Sequence, residues 1–136
     1  MSHYTRVNTR LVSTQHLLQA LRDMGFGEVE CHEPAQVLYN YVGEATPDRA
    51  HVIVRREHLG RSSNDLGFRK TADGSFAAIV SDFDRHRLDA VWLKELTQRY
   101  AYHVARDTLT EQGFDLVGEE RQEDGTIQLT LRRMAG

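Results

Sequence analysis

Apolar residues recur along the chain with two periods, two and three-to-four, and together they lay out the elements. From His3 to Leu11 the residues Thr5, Val7, Thr9 and Leu11 alternate with Arg6, Asn8 and Arg10, which predicts a half-buried strand. Leu17, Leu18, Leu21 and Met24 then form one helical stripe. Ser13 is placed to cap that helix, Val12 and Leu17 to staple it, and Gly25 to end it. Strand patterns follow at Glu28 to Glu33 (ending at Pro34), Gln36 to Val42, Ala50 to Arg56, Leu66 to Thr71 and Phe76 to Asp82. The segment Gly43 to Asp48 reads as a turn or loop, and Glu57 to Asp65 as an exposed loop. A long helix is predicted from about Arg87 to Gln112, with Leu88, Trp92, Leu96, Tyr100 and Val104 facing the sheet. Two last strands, Phe114 to Glu120 and Thr126 to Arg132, are joined through Asp124-Gly125, as Leu66 to Thr71 and Phe76 to Asp82 are through Asp73-Gly74.

The element order is β-α-β-β-β-β-β-α-β-β. Hairpin connections call for a mostly antiparallel sheet, of about six to seven strands, and two helices are too few to cover both faces. The expected class is α+β with both helices on one face. The paired Gly-Phe helix exits and Asp-Gly turns fit either two related halves or common turn chemistry appearing twice.

Length and composition narrow this picture. The chain has 136 residues, the size of a single domain spanning 1–136. At 40% hydrophobic and 27% charged it has enough apolar surface for a core without metal or disulfide staples. No apolar run reaches the roughly 20 residues that span a bilayer, and residues 1–10 lack a signal-peptide core, so a cytoplasmic protein is expected. Cys31 is the only cysteine, and composition favours it as a small buried hydrophobe over a reactive thiol. The net charge of −3 weighs against bulk nucleic-acid binding. Of the 17 basic residues, 15 are Arg, whose planar fork suits carboxylates and phosphates, although base composition of a genome gives the same bias.

No phosphate loop, Gly-x-Ser-x-Gly elbow, His-Glu-x-x-His pair or Gly-x-Gly-x-x-Gly run is present. The seven histidines show no zinc-ligand spacing, so no cofactor and no metal are expected. The densest polar cluster runs from Thr97 to His103 on the long helix and includes Gln98; spacing of three and four puts Arg99, Tyr102 and His103 near one another on one side. His103 could move a proton while Arg99 holds negative charge, with His3 or Asp65 nearby. The bland alternative is a structural hydrogen-bond network. A second candidate is the basic stretch Arg55, Arg56, Arg61, Arg69 and Lys70, which flanks a Ser-Ser-Asn loop and reads either as an anion contact or as a solvated surface.

Several of these segments also carry a resemblance. Met1-Ser2-His3-Tyr4, Asp65-Leu66-Gly67-Phe68, the run from Thr97 to His103, Gln112-Gly113-Phe114 and Asp124-Gly125-Thr126-Ile127 appear in order. Together they resemble the hypothetical chloroplast reading frame "ycf thirty-five" family of plastids, cyanobacteria and other bacteria. Tyr4 stands where that family commonly has Phe, and Asn64 where it often has an aromatic. The resemblance implies a small stand-alone cytosolic or stromal protein without an agreed activity, and an adaptor or accessory role beside a AAA-type ATPase; the missing catalytic motifs favour a non-enzymatic module. Three functions are therefore weighed: a protein-interaction module, a small-molecule or anion binder using Arg99, Tyr102 and His103, and a nucleic-acid binder using Arg55 to Lys70.

Overall fold

The computed structural model describes residues 3–134. The elements in chain order are β1 (Tyr4–Asn8), α1 (Thr14–Asp23), β2 (Glu30–Tyr39), β3 (Ala45–Val54), β4 (Leu66–Lys70), β5 (Phe76–Ser81), α2 (Ala90–Glu111), β6 (Phe114–Arg121) and β7 (Ile127–Arg133). Two helices and seven strands in antiparallel sheets give the α+β class expected from the pattern. The strands divide into a five-stranded sheet, ordered β1-β5-β4-β3-β2, and a separate two-stranded sheet, β6-β7.

Strand alternation sends Val52, Val54, Leu66, Phe68, Phe76, Ala78 and Val80 to one face of the large sheet. Both helices lie there, contributing Leu17, Ala20 and Leu21 from α1 and Leu96 and Tyr100 from α2. Trp92 and Val104 pack against the same cluster, so the stripe read from the long helix faces the core as its spacing requires. Each fully buried Leu or Phe contributes about 1.5–3 kcal/mol by leaving water, which makes this face the main source of stability.

Among the described residues, no helix covers the opposite face. There the outer half of the β2-β3 hairpin curls back, and Leu38, Ala50, Ile53 and Ile79 form a second small core with Tyr4 against it. Gly67 makes the curl possible. A Cβ at this position would sit 2.6 Å from the Cβ of Ala50 and 3.0 Å from a methyl of Leu38.

The curl accounts for three departures from the sequence pattern. The two short strands expected around Pro34 are one strand, β2, with a register shift between Cys31 and Gln36 that bends it. The segment from Ala45 to Asp48, expected as loop, belongs to β3 and pairs only with β2. Its other edge is free there, so the N–H that Pro47 lacks is not missed. Cys31, expected to be buried, is exposed on β2 at the sheet margin. Partial burial still pushes its thiol pKa up.

Ser13 caps α1 as expected, its hydroxyl accepting from the N–H of His16. The staple does not form, because Val12 is 53% exposed. The hydroxyl of Tyr100 fixes the chain entry instead, accepting from the N–H groups of Val12 at 3.0 Å and Ser13 at 2.8 Å. α2 begins at Ala90, three residues later than the pattern suggested. Asp89 is its cap, accepting from Trp92 N–H at 2.9 Å. The β6-β7 hairpin leaves α2 at Gly113, which takes a positive φ of 90° that a side chain would strain. The hairpin packs on α2 rather than joining the large sheet.

Candidate functional site

Two polar centres hold several of the candidate residues. The first is built around Asp65, just before β4. Its carboxylate accepts from the backbone N–H of Tyr39 (2.7 Å), the backbone N–H of Arg56 (2.8 Å) and the guanidinium of Arg55 (2.8 Å). Arg55 also grips Glu30 with a bidentate pair of 2.9 Å bonds and donates to Val37 O at 3.1 Å. The Arg55 hydrogen bonds hold Glu30 below its ordinary carboxyl pKa. Burial disfavours the Arg55 cation, but its bonds to Glu30 and Asp65 outweigh that and raise its pKa. The hydroxyl of Tyr4 donates to Asp65 O at 2.9 Å; burial first, then the nearby Asp65, Asp84 and Asp48, raises the phenol pKa.

The segment from Glu57 to Asp65, expected as an exposed loop, turns inward at its end. Ser63, Asn64 and Asp65 are buried. Asn64 accepts from Tyr41 N–H at 2.8 Å and donates to Ser81 Oγ at 3.0 Å, while its backbone N–H donates to Asp84 at 3.0 Å. Arg87 reaches Ser63 Oγ and donates to Leu59 O at 2.9 Å. Short polar side chains can satisfy a buried backbone in this way without a regular ladder. The run Ser63-Asn64-Asp65 is thus a set of plugs that fasten the loop to β2, β5 and the turn after β5.

Beside this centre opens a cleft of about 730 Å³, lined by Glu30, Tyr39, Arg55, Arg56, Glu57, Arg61 and Asp65 among others. Its basic groups are differently engaged. Arg55 is consumed by its two carboxylates and stacks over the Tyr39 ring at 5.4 Å. The Arg56 side chain donates to Tyr41 O at 3.0 Å, and among the described residues neither Arg56 nor Arg61 makes an ion pair. Arg69 and Lys70 lie at the far end of β4, where Lys70 sits over the Phe76 ring at 5.7 Å. The basic stretch of the sequence therefore does not form one patch.

The second centre joins α1, α2 and β6. Asp23, at the end of α1, accepts from Arg99 at 2.8 Å and pairs with His103 Nε2 at 2.6 Å. Arg99 lies over the Tyr102 ring at 4.7 Å and reaches Glu119 on β6 at 3.5 Å. Burial opposes ionisation of Asp23, but the bonds from His103 and Arg99 win and hold its carboxyl below the ordinary value. Burial, then the hydrogen bond to Glu119, raises the Tyr102 phenol. Arg99, Tyr102 and His103 do share one environment, and it is filled by the chain's own carboxylates. Gln98 lies against Gly125 of the β6-β7 turn, away from Asp23, and with Tyr102 lines a groove beside β7. Asp65 is not near this group, since it belongs to the first centre; His3 is exposed before β1, its carbonyl accepting from Asp82 N–H at 2.8 Å.

Sequence reasoning missed Asp23 and Glu119, the acidic half of the second centre, and Glu30, which joins Asp65 in the first, because nothing local marks them. It also missed a hydroxyl-imidazole-carboxylate relay: Ser13 Oγ is 2.8 Å from His16 Nδ1, and His16 Nε2 is 2.7 Å from Asp107. A nucleophilic serine needs free N–H donors to stabilise an oxyanion. The N–H groups of Val12 and Ser13 are instead given to Tyr100, and the relay ties the start of α1 to α2.

The fold and its centres define a small α+β protein in which ion pairs lock loops and helices onto a curled antiparallel sheet. The chain belongs to the family described as a protein of unknown function (DUF1257), which matches residues 20–130. It is similar to the uncharacterized protein ycf35 of Cyanophora paradoxa, 27% identical over 135 residues and 98% of each chain. The same protein of Pyropia yezoensis is 26% identical over 136 residues, and that of Guillardia theta 27% over 136, again with 98% of each chain covered. No solved structure matches. Among the described residues, no helix is long and apolar enough to cross a membrane.

Proposed function

We propose that this chain is a non-enzymatic interaction module that docks a protein partner at the tip of the β2-β3 hairpin and the rim of the adjoining cleft. One observation carries the reading. Tyr39, Tyr41 and Val42 are exposed together at that tip, Tyr41 at 51% and Val42 at 54%, beside Arg56 and Arg61, which makes no ion pair among the described residues. Tyr and Arg around an apolar contact are the residues on which interfaces concentrate their binding energy. The support beneath them is rigid, because Asp65 and Asn64 hold the backbone N–H groups of Tyr39 and Tyr41. A fixed hairpin loses little entropy on docking. The partner chemistry that fits is an apolar side chain followed by a carboxylate for Arg61.

A cytoplasmic setting and a AAA-type ATPase as the partner are the finer reading, and the family resemblance motivates both. Affinity capture with the immobilised chain at native concentration tests the module. The expected result is a stable partner that Tyr41→Ala with Val42→Ser releases, with an ATPase subunit in the captured complex. Recovery of no partner, or equal recovery by the double variant, overturns it. The alternative anion site at Arg99, Tyr102 and His103 has less support, since Asp23 and Glu119 already hold Arg99.

A further inference from the structure

Each strand edge of the molecule carries a device against pairing with another chain, with one exception. β1 is only five residues long and bears Arg6. β2 carries Glu30 and Glu33 and is bent around Pro34. β6 carries Asp115, Glu119, Glu120 and Arg121, and a register shift between Leu116 and Gly118 breaks its regularity. Short, charged or bulged edges resist augmentation. β7 is the least protected, for its charges come only at its last two residues, Arg132 and Arg133, and Ile127-Gln128-Leu129-Thr130-Leu131 is uncharged, regular and rich in strand formers.

The direction of its free backbone groups follows from the ladder. Gln122 N–H donates to Thr126 O at 2.7 Å, and Met134 N–H donates to Gly113 O at 2.8 Å. Thr126 and Met134 therefore point their backbone groups at β6, and the alternation of an antiparallel pair aims those of Ile127, Leu129 and Leu131 outward. Both ends of β7 agree, because the extra residue at the register shift lies on β6. The side chains of the same three residues face α2 but are only half-buried. α2 lies mainly over β6, and a groove of about 340 Å³, lined by Ala101, Tyr102, Ala105, Ile127 and Leu129, is left between α2 and β7.

We propose that β7 pairs antiparallel with β7 of a second copy, joining two hairpins into one four-stranded sheet and closing the groove. The strand is self-complementary about Leu129. Centring the two-fold there makes Leu129 bond its own counterpart and Ile127 bond Leu131 of the second copy, using every outward N–H and C=O of the uncharged stretch. In that register Arg132 falls opposite Thr126 and Arg133 opposite Gly125 of the second copy, so no like charges oppose each other along the seam. The six aliphatic side chains form one continuous row beneath the two α2 helices. A two-stranded sheet is marginal alone, and pairing doubles it.

Sedimentation of the full chain across a range of concentrations is the first test, with a mass rising from 15.6 kDa to twice that as the expected result. A monomer at every concentration overturns the proposal. The register is tested in a Cys31→Ser background with Gln128→Cys and Thr130→Cys made as separate variants. Both side chains are exposed on the face away from α2, so neither change disturbs the core. In the proposed register Gln128 faces Thr130 of the second copy as a non-hydrogen-bonded pair, with Cα atoms about 4.5 Å apart and within disulfide reach. Under mild oxidation the two variants mixed should give a covalent dimer, while each alone stays monomeric on a non-reducing gel. A dimer by sedimentation with no cross-link in the mixture places the contact on another surface and overturns the assignment. Cross-linking of Gln128→Cys with itself overturns the register and with it the self-complementarity argument.

Discussion

Asp65 and Asp23 each hold an arginine, but in different surroundings. Asp65 is 1% exposed and its two oxygens take bonds from two backbone N–H groups and Arg55. The Asp23 side chain is 26% exposed, and one of its oxygens serves both Arg99 and His103. The first organises backbone that has no ladder of its own, fixing where β2, β3 and the loop before β4 meet. The second ties together helices and a hairpin that are already formed. Of these two carboxylates, the buried one specifies a chain path and the partly exposed one clamps finished elements. This difference is what makes the hairpin tip a stiff platform while leaving the β6-β7 end more loosely attached.

The sharpest way to break the comparison is Asp65→Ala. It strips Arg55 of one partner and leaves the N–H groups of Tyr39 and Arg56 unpaired in a buried place, so the expected loss is about 3–5 kcal/mol in urea unfolding. A loss no greater than that of Asp23→Ala would erase the distinction between the two centres. The next largest effect is expected from Gly67→Ala, which tests the curl directly. The new methyl meets the Cβ of Ala50 at 2.6 Å, and overpacking of this kind costs about 1–3 kcal/mol. Because Tyr39 sits on the curled hairpin, the same variant should also weaken partner capture, whereas a substitution that loosens the β6-β7 end should not.

These particulars show what the amino-acid pattern could and could not convey. α2 was legible because Leu88, Trp92, Leu96, Tyr100 and Val104 answer to a helical period that needs no distant partner. The closeness of Arg99, Tyr102 and His103 was legible for the same reason. Their true partner was not, since Asp23 lies 76 residues from Arg99 in the chain. The bend in β2 was misread as two strands because Pro34 ordinarily ends a strand, and only the free edge of β2 allows it to stay. Ser63, Asn64 and Asp65 looked like loop surface because polar residues usually are; their burial depends on backbone groups of Tyr39, Tyr41 and Arg56 that the sequence does not display. The separation of β6-β7 from the large sheet likewise follows from tertiary packing, with Glu119 and Arg121 reaching Arg99 and Glu95 on α2.

Asp23→Ala probes the second centre and should cost about 1 kcal/mol, less than the buried case because water screens and partly replaces its bonds. The acid limb of stability sharpens the point further. The Asp23 carboxyl titrates below its ordinary value of 3.8 in the folded protein, so the unfolded chain binds the proton more readily. Its stabilisation is therefore fully present above pH 3.8 and lost as pH falls through the lower folded value. Glu30 behaves in the same sense from its ordinary value of 4.5, through its bonds to Arg55. Urea unfolding followed between pH 5 and 2 should show stability falling with acid. Asp23→Asn, which keeps the shape and removes the titration, should flatten part of that fall while leaving the Glu30 contribution in place. If the slope of the Asp23→Asn variant matched the wild type, the clamp would be acting through geometry alone, and the contrast with Asp65 would rest on burial rather than charge.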